Sequence, residues 1–332
     1  MKKIKIILVF MNLCCLLAFT AFGQENKKLA QTGFQFLSVD ADARASALGS
    51  AMTAVELQSG SLFFNPAGMA NMSGFVDIVL SKNNWIADIN HNAVSLAINP
   101  ARGRFGVFGF SLQSVDYGNL TGTRVANTSL GYEVTGNFFP SAFAAGIGYA
   151  KALTDRFSVG GQLKYAHQAL GESLIPLPDS ASTTLKNELS PFAYDFGTMF
   201  KTGFKSLTFG MSVRNFSKEI EYDQESFQLP LVFSLGISMN LFDLLEMRGP
   251  AQSAIFSIDA THYRSHPEQV RVGIDYTFVD FLSLRLGYIA NNDEDGLAYG
   301  FGVSRFGLSF DYAFTPFGVF DNVQRFTIRF SL

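Results

Sequence analysis

A side-chain period of two is the feature that most constrains the fold of this sequence. In the last segment of the chain, Phe326, Ile328 and Phe330 alternate with Arg325 and Arg329. Side chains on a β-strand point alternately to opposite faces, so these two sets would line different surfaces of one sheet. Segments of roughly ten residues with this pattern recur from about position 73 to the end, which is typical of a transmembrane β-barrel.

Fourteen such segments can be assigned, at 74–81, 92–99, 104–113, 142–152, 157–167, 191–200, 207–216, 229–241, 253–263, 269–278, 281–290, 297–304, 307–314 and 323–332. Their connections alternate between tight turns, such as 153–156, and long polar segments, such as 114–141 and 168–190. Bacterial barrels have short periplasmic turns and longer outer loops. The sequence therefore predicts an all-β fold, an antiparallel up-and-down transmembrane barrel of about fourteen strands. An even count places both chain ends on the periplasmic side.

Composition separates this chain from an ordinary soluble domain. It is 48% hydrophobic and 14% aromatic, and only 16% of its residues are charged, against roughly 25% in soluble domains. No stretch after the first 23 residues reaches the ~18 consecutive apolar residues of a membrane-spanning helix. An exported apolar chain without such a helix is expected in the outer membrane of a Gram-negative cell, as an integral multi-pass barrel in contact with lipid.

The N-terminus has the pattern of a cleaved secretory signal peptide at 1–23. Lys2 and Lys3 precede an apolar run, and Ala21 and Gly23 supply the small residues expected before a cleavage site. An uncleaved membrane anchor is the alternative. The two cysteines, Cys14 and Cys15, fall inside this peptide, so the mature chain would carry no thiol or disulfide.

The residues between the signal peptide and the first strand do not alternate. A small, helix-compatible run begins after Asp40, a candidate N-cap, and stops at Gly49. Further on, Pro66 forces Asn65 to be extended, and a short helical piece follows. Such a segment is too short to fold alone but would fit the lumen of a fourteen-stranded barrel as a plug. We therefore predict three parts: the signal peptide at 1–23, a hatch at 24–72 and the barrel at 73–332.

Alternation along the strands also predicts which charges face inward. A charge on the lipid face would cost about 2–4 kcal/mol at the membrane midplane. The charges could line a selective or ligand-guiding lumen, or they could form ion pairs that only fill it; their mixed signs favour ion pairs over a one-sign ring. The residues predicted to lie inside are Lys164, Asp195, Arg214, Asp259, Arg271, Asp275, Arg285, Asp311, Arg325 and Arg329.

Signals for catalysis, metals or nucleic acid are weak. A metal site or a catalytic triad needs histidines that converge with carboxylates or a nucleophile, and the predicted strands place the four histidines at strand ends and outer loops. The net charge of −3 gives no sign of a nucleic-acid partner. We predict a protein that is not an enzyme, with no cofactor and no metal. The histidines are His91, His167, His262 and His266.

The hatch region carries a family resemblance. Residues 41–49 and 61–70 resemble the N-terminal signature of the PorV/PorQ family of the type IX secretion system, which is itself similar to the FadL-type fatty-acid channels. The Asn-Pro-Ala motif is shared with those channels, where it belongs to the hatch. The resemblance implies a fourteen-stranded barrel with an N-terminal hatch. The residues that match the hatch motif are Asp42, Arg44, Asn65, Pro66 and Ala67.

Two functions from different classes follow. The first is a non-enzymatic component of type IX secretion or gliding that holds or shuttles exported proteins at the cell surface, with a translocon, a surface peptidase or exported cargo as partners. The second is a FadL-like passive channel for long-chain fatty acids or other hydrophobic small molecules. The channel hypothesis expects an apolar pocket beneath the hatch and one strand with a kink that opens sideways to lipid. A surface hydrolase is a third hypothesis, which no motif supports.

Overall fold

The computed structural model describes residues 32–176, 182–222, 225–245, 252–279, 281–292 and 296–332. The predicted signal peptide and the first residues of the predicted hatch, 24–31, lie outside this part of the chain. The described residues form nineteen strands: β1 Val76–Asn84, β2 Asn90–Ile98, β3 Val107–Asp116, β4 Leu120–Val125, β5 Tyr132–Phe138, β6 Ser141–Ala152, β7 Phe157–Pro176, β8 Ser182–Leu189, β9 Phe192–Lys201, β10 Thr208–Phe216, β11 Ile220–Tyr222, β12 Glu225–Phe227, β13 Val232–Asn240, β14 Ser253–Tyr263, β15 Gln269–Phe278, β16 Leu282–Ala290, β17 Leu297–Arg305, β18 Leu308–Thr315 and β19 Val323–Ser331.

Fourteen of these strands form a closed antiparallel barrel: β1 to β3, β6, β7, β9, β10 and β13 to β19. Each pairs with its neighbours along the chain, and β1 pairs with β19 to complete the ring, with Leu80 opposite Ile328. Every segment predicted from alternation overlaps one of these strands. The predicted fold class, an all-β up-and-down transmembrane barrel of fourteen strands, is confirmed.

The other strands extend the connections at one end of the barrel. β4 and β5 form a hairpin between β3 and β6, β8 pairs with the extension of β7, and β11 pairs with β12 between β10 and β13. We call this the long-loop end, and the opposite end, where β1 begins and β19 ends, the short-turn end. In bacterial barrels the long loops face outward. The polar segments predicted as outer loops are therefore partly built from hairpins.

The barrel wall is apolar outside and polar inside. Along β9, Phe192, Tyr194 and Phe196 are exposed on the outer surface, whereas Ala193 and Asp195 between them are buried in the lumen. A soluble protein has the opposite arrangement, with apolar side chains inside. β16 shows the same alternation as β9, with exposed apolar residues between buried ones. The exposed aromatic and aliphatic surface is the one that a transmembrane barrel presents to lipid.

Helices are short throughout the described residues. None is long and apolar enough to span a membrane. The α-helices are Ala43–Ala47 and Leu241–Leu245, and the 3₁₀ helices are Gln35–Ser38, Gln58–Phe63, Pro66–Met69, Ile86–Asp88 and Pro100–Gly103.

Candidate functional site in the barrel lumen

Residues 32–72 run through the lumen from one end to the other, and we call them the lumen segment. Thr32 forms a parallel bridge with Gln228 at the long-loop end. At the short-turn end, Asn99 Nδ2 donates to Met72 O at 2.6 Å. The described chain therefore begins at the long-loop end. The even strand count places the start of β1 and the end of β19 at the same end of the barrel, and the first residues of the predicted mature chain, 24–31, lie outside the described residues.

The helix Ala43–Ala47 begins at Asp42. Asp42 has extended backbone angles and its Oδ1 accepts from Ala45 N at 3.0 Å, so it is the N-cap. The sequence predicted Asp40 as the cap; that prediction is wrong, since the Asp40 carboxylate instead accepts from Ser50 Oγ. Gly49 follows the helix with a φ of 60°, as predicted for its stop.

The Asn65-Pro66-Ala67 motif fixes the segment against the wall. Asn65 is extended, its Oδ1 accepts from Ala67 N at 3.1 Å, and Pro66 opens the 3₁₀ helix Pro66–Met69. Asn65 Nδ2 donates to Thr53 O at 2.6 Å and to Thr198 O on β9 at 3.1 Å. One buried amide thus joins two stretches of the segment to the barrel.

A chain of ion pairs links the segment to three strands of one side of the barrel, β15, β16 and β18. Arg44 Nε lies 2.9 Å from Asp275 Oδ2 on β15. Arg285 on β16 lies 3.2 Å from Asp275 Oδ1, and its Nη1 lies 2.6 Å from Asp311 Oδ1 on β18. Asp275, Arg285 and Asp311 are buried. These predicted inward charges form a paired network with the segment, rather than a ring of one sign.

A second set of charges surrounds the start of the same helix. Arg329 on β19 lies 3.5 Å from Asp42 Oδ2 and 3.9 Å from Asp77 Oδ2 on β1. Asp77 is fully buried and accepts from Ser59 N at 2.9 Å. The strand alternation that placed the other charges inside also applies to Asp77, but the prediction omitted it.

Two further predicted charges meet on the opposite wall. Lys164 on β7 pairs with Asp195 on β9 at 2.8 Å and also contacts Asn215 Oδ1. Asn215 has a φ of 59° at a bulge in β10 and donates its N–H to Asp195 Oδ1 at 2.7 Å. Beside it, the half-buried Arg214 donates to Phe63 O and lies over the Phe64 ring. β10 is thus irregular where it contacts the lumen segment.

The remaining inward charges also contact buried groups. Asp259 on β14 accepts from Thr53 N at 2.8 Å. Arg271 lies 5.4 Å from the centre of the Tyr263 ring and donates to its hydroxyl. Arg325 donates to Thr315 Oγ1 at 2.9 Å. All ten charges predicted to face inward lie in the lumen, and nine of them are buried.

The wall meets the segment through glycines. A methyl group on Gly160 would collide with the backbone of Pro66 and Ala67, and one on Gly287 with the backbone of Leu48 and Gly49. Glycine lets two backbones approach closely where any side chain would separate them. The glycines whose Cβ would meet the segment at under 3 Å are Gly109, Gly148, Gly160, Gly197, Gly210, Gly236, Gly273, Gly287 and Gly300, one on each of nine strands.

The first residues of the segment make a different contact. Phe34, Phe36 and Leu37 are buried in an apolar cluster at the long-loop end, and Phe227 stacks on Phe34 with ring centres 6.3 Å apart. We call residues 32–39 the outer part of the segment and residues 40–72 the inner part. The wall side of the cluster consists of small or aliphatic residues: Val115, Ala142, Ala144, Ala166, Ala193 and Leu229.

Two small cavities beside the segment have mixed polar and apolar linings. One cavity is lined by Asp40, Thr315 and Arg325, and a second by Asp40, Asn83 and His91, each together with other residues. Neither is the apolar pocket beneath the hatch that the channel hypothesis expects. Among the described residues, no group of three or more His, Cys, Asp or Glu side chains is placed to hold a metal ion.

Comparison with known proteins gives a likeness of fold. No protein family matches the sequence, and no curated protein does. The structure is similar to the Ralstonia pickettii toluene transporter TbuX, with a TM-score of 0.60 and 10% identity over 88% of this chain and 99% of that chain. It is similar to the CymD monoaromatic hydrocarbon channel, with a TM-score of 0.57 and 11% identity over 89% of this chain and 98% of that one.

A Pseudomonas aeruginosa FadL homologue is also similar, with a TM-score of 0.50 and 13% identity over 87% of this chain and 97% of that chain. At these identities the likeness establishes the barrel fold and its strand arrangement. These three structures give no support to the resemblance to PorV and PorQ.

Proposed function

We propose that this chain is a non-enzymatic outer-membrane barrel that carries hydrophobic small molecules across the membrane. The observation that carries the proposal is the closed fourteen-stranded barrel, whose fold matches a toluene transporter and a monoaromatic hydrocarbon channel. Monoaromatic hydrocarbons and fatty-acid chains are the substrate classes to test first. The exposed apolar wall places the barrel in lipid, and residues 1–23 would direct its export as a cleaved signal peptide.

The apolar cluster at the long-loop end supports this substrate class. Phe34 and Phe36 fill a space whose walls include four alanines, and their contacts with these walls are apolar. Hydrophobic burial is non-directional and roughly proportional to area, so an apolar solute can replace these rings at little net cost. We assign the cluster as the first binding position of the solute. The bulge in β10 is our candidate for the kinked strand that the channel hypothesis expects.

The test is uptake by cells that lack the gene. Labelled toluene and a labelled long-chain fatty acid are supplied below saturation, with a labelled sugar as the control solute. Deletion should lower entry of at least one apolar solute several-fold and leave the sugar unchanged, and complementation should restore it. Unchanged entry of both apolar solutes would contradict the proposal.

The second candidate is a role in type IX secretion or gliding, with a translocon, a surface peptidase or exported cargo as the partner. The observation in its favour is the signature at 41–49 and 61–70, with the hairpins at the long-loop end as the contact surface. The same deletion strain separates the candidates, because its secreted and surface proteins can be compared with the parent's. Loss of surface proteins with normal solute uptake would favour secretion over transport.

A further inference from the structure

The barrel has one seam that no connection joins. In every other pair of neighbouring barrel strands, one strand is the next barrel strand after the other in the chain. β1 and β19, in contrast, are the first and last barrel strands. The entropic cost of bringing two chain positions together rises with the length of chain between them. Closure of the barrel at β1 and β19 therefore brings together the positions that are furthest apart in the sequence.

The lumen segment contacts the β1 side of this seam through Asp77. The carboxylate of Asp77 accepts from both the N–H and the hydroxyl of Ser59 in the segment. It also accepts from Ser331 Oγ on β19 at 2.5 Å. Asp77 is fully buried, so these hydrogen bonds form away from water and involve a charged acceptor. A single carboxylate thus joins the segment to both seam strands.

The segment contacts the β19 side at three more positions. Ala43 N donates to Thr327 Oγ1 at 2.8 Å, and Gln58 Oε1 lies 3.0 Å from Ser331 Oγ. The carboxylate of Asp42 lies 3.5 Å from Arg329. These contacts follow β19 along much of its length, because Thr327, Arg329 and Ser331 are successive lumen-facing positions.

We propose that the lumen segment has a second function, as an internal clamp that closes the barrel at its seam. The segment leads directly into β1, so its contacts with β19 act at a high effective concentration. During closure β19 then pairs with β1 and binds the adjacent lumen segment at the same time. Without the segment, β19 would have only the edge of β1 to bind. This function concerns assembly and goes beyond the proposed transport of hydrophobic molecules, and it does not depend on it.

The experiment compares two double variants of the full chain in detergent micelles by hydrogen exchange. Asp42→Asn with Ser59→Ala weakens the seam contacts from the segment side, and asparagine keeps the helix cap. Arg44→Met with Asn65→Ala is the matched control, because these residues contact Asp275 and Thr198, away from the seam.

The clamp predicts that amides of β1 and β19 exchange about tenfold faster in the seam variant, the factor expected when one buried hydrogen bond to a charged group is lost. The other strands should change less. In the control, exchange should quicken near β9 and β15 instead. No change at the seam, equal change in all strands, or the same change at the seam in the control would overturn the proposal.

A disulfide across the seam gives an independent readout. Leu80 and Ile328 are paired residues on the outer surface, and both native cysteines lie in the first 23 residues. Adding Leu80→Cys and Ile328→Cys to the seam variant should restore slow exchange after oxidation. If the seam variant does not assemble, assembly restored by the oxidised pair supports the clamp, and failure to restore it overturns the clamp.

Discussion

The two parts of the lumen segment are held to the barrel by different forces. The outer part, 32–39, packs Phe34, Phe36 and Leu37 against an apolar wall, and Gln35 donates within the part, to Thr32 O. The inner part, 40–72, is joined to the wall by buried charges and hydrogen bonds, such as Arg44 with Asp275. Apolar contacts break gradually as area is exposed, whereas a buried ion pair leaves an uncompensated charge when one partner leaves.

This difference predicts which part of the lumen segment can move. An apolar solute can make the same kind of contact with the wall that Phe34 and Phe36 make. The solute can therefore replace the two rings without unfolding of the barrel. No such solute can replace a guanidinium beside Asp275. We therefore expect local opening to begin in the outer part, while the inner part stays in place as a fixed element of the barrel.

The largest effect is expected when the ionic contact of the inner part is broken. Asp275→Ala removes the carboxylate partner of the partly buried Arg44 and one of the two carboxylate partners of the buried Arg285. Loss of one partner of a buried pair costs about 3–5 kcal/mol, and the free energy of unfolding in detergent, measured with guanidinium chloride, should fall by about that amount. Val303→Ala on the outer surface is the control variant. A loss below about 1 kcal/mol would show that the charges contribute little to the inner part's attachment.

A smaller effect is expected from filling the space between wall and segment. Gly160→Ala places a methyl group against the backbone of Pro66 and Ala67. Gly161→Ala, one residue on, places it on the other face, where its nearest neighbour is Asp195 O at 3.4 Å, an ordinary contact. Overpacking costs about 1–3 kcal/mol, so the first variant should unfold at lower denaturant than the second. Equal denaturant midpoints for the two variants would mean that the segment moves aside for the methyl group at little cost.

The barrel could be predicted from the sequence because its pattern is local. Each strand carries its own alternation, so fourteen segments and ten inward charges follow from windows of about ten residues. Asp77 was within reach of the same rule, since Asp77, Val79 and Ser81 share one face of β1. The hairpin β4–β5 was predicted only as a long loop, because its residues are exposed on both faces and show no alternation.

The contacts of the lumen segment could not be predicted in the same way. Alternation places Gly160 on the inner face with Lys164 and Gly161 on the outer face, but only the fit of the segment against β7 shows that Gly160 must lack a side chain. Asp40 and Asp42 are both good caps. In the fold Asp42 caps the helix and also lies beside Arg329 from the far end of the chain, whereas Asp40 accepts from Ser50. Such contacts depend on the packing of regions that are distant in sequence.

A hydrogen-bonded anchor of the inner part gives the next prediction. Replacing Asn65 and Pro66 with Ala-Ala removes the side-chain bonds from Asn65 to Thr53 O and Thr198 O. Each neutral hydrogen bond contributes about 0.5–1.5 kcal/mol, so the inner part should open more often while the barrel stays folded. Cells with this variant should leak small polar solutes faster than cells with Asn71→Ala, whose side chain contacts Glu56 at the surface. Equal leakage would show that the motif does not hold the segment in place.

The smallest effect on global stability is expected from the outer part. Phe34→Ala with Phe36→Ala removes two rings from the apolar cluster. In a core that every strand shares, each such change would cost about 3–5 kcal/mol. If the outer part opens by itself, the unfolding midpoint of the barrel should hardly move, while amides near Thr32 and Gln228 exchange faster and entry of a labelled apolar solute rises. A global loss as large as that of Asp275→Ala would mean that the two parts open together, and the distinction between them would fail.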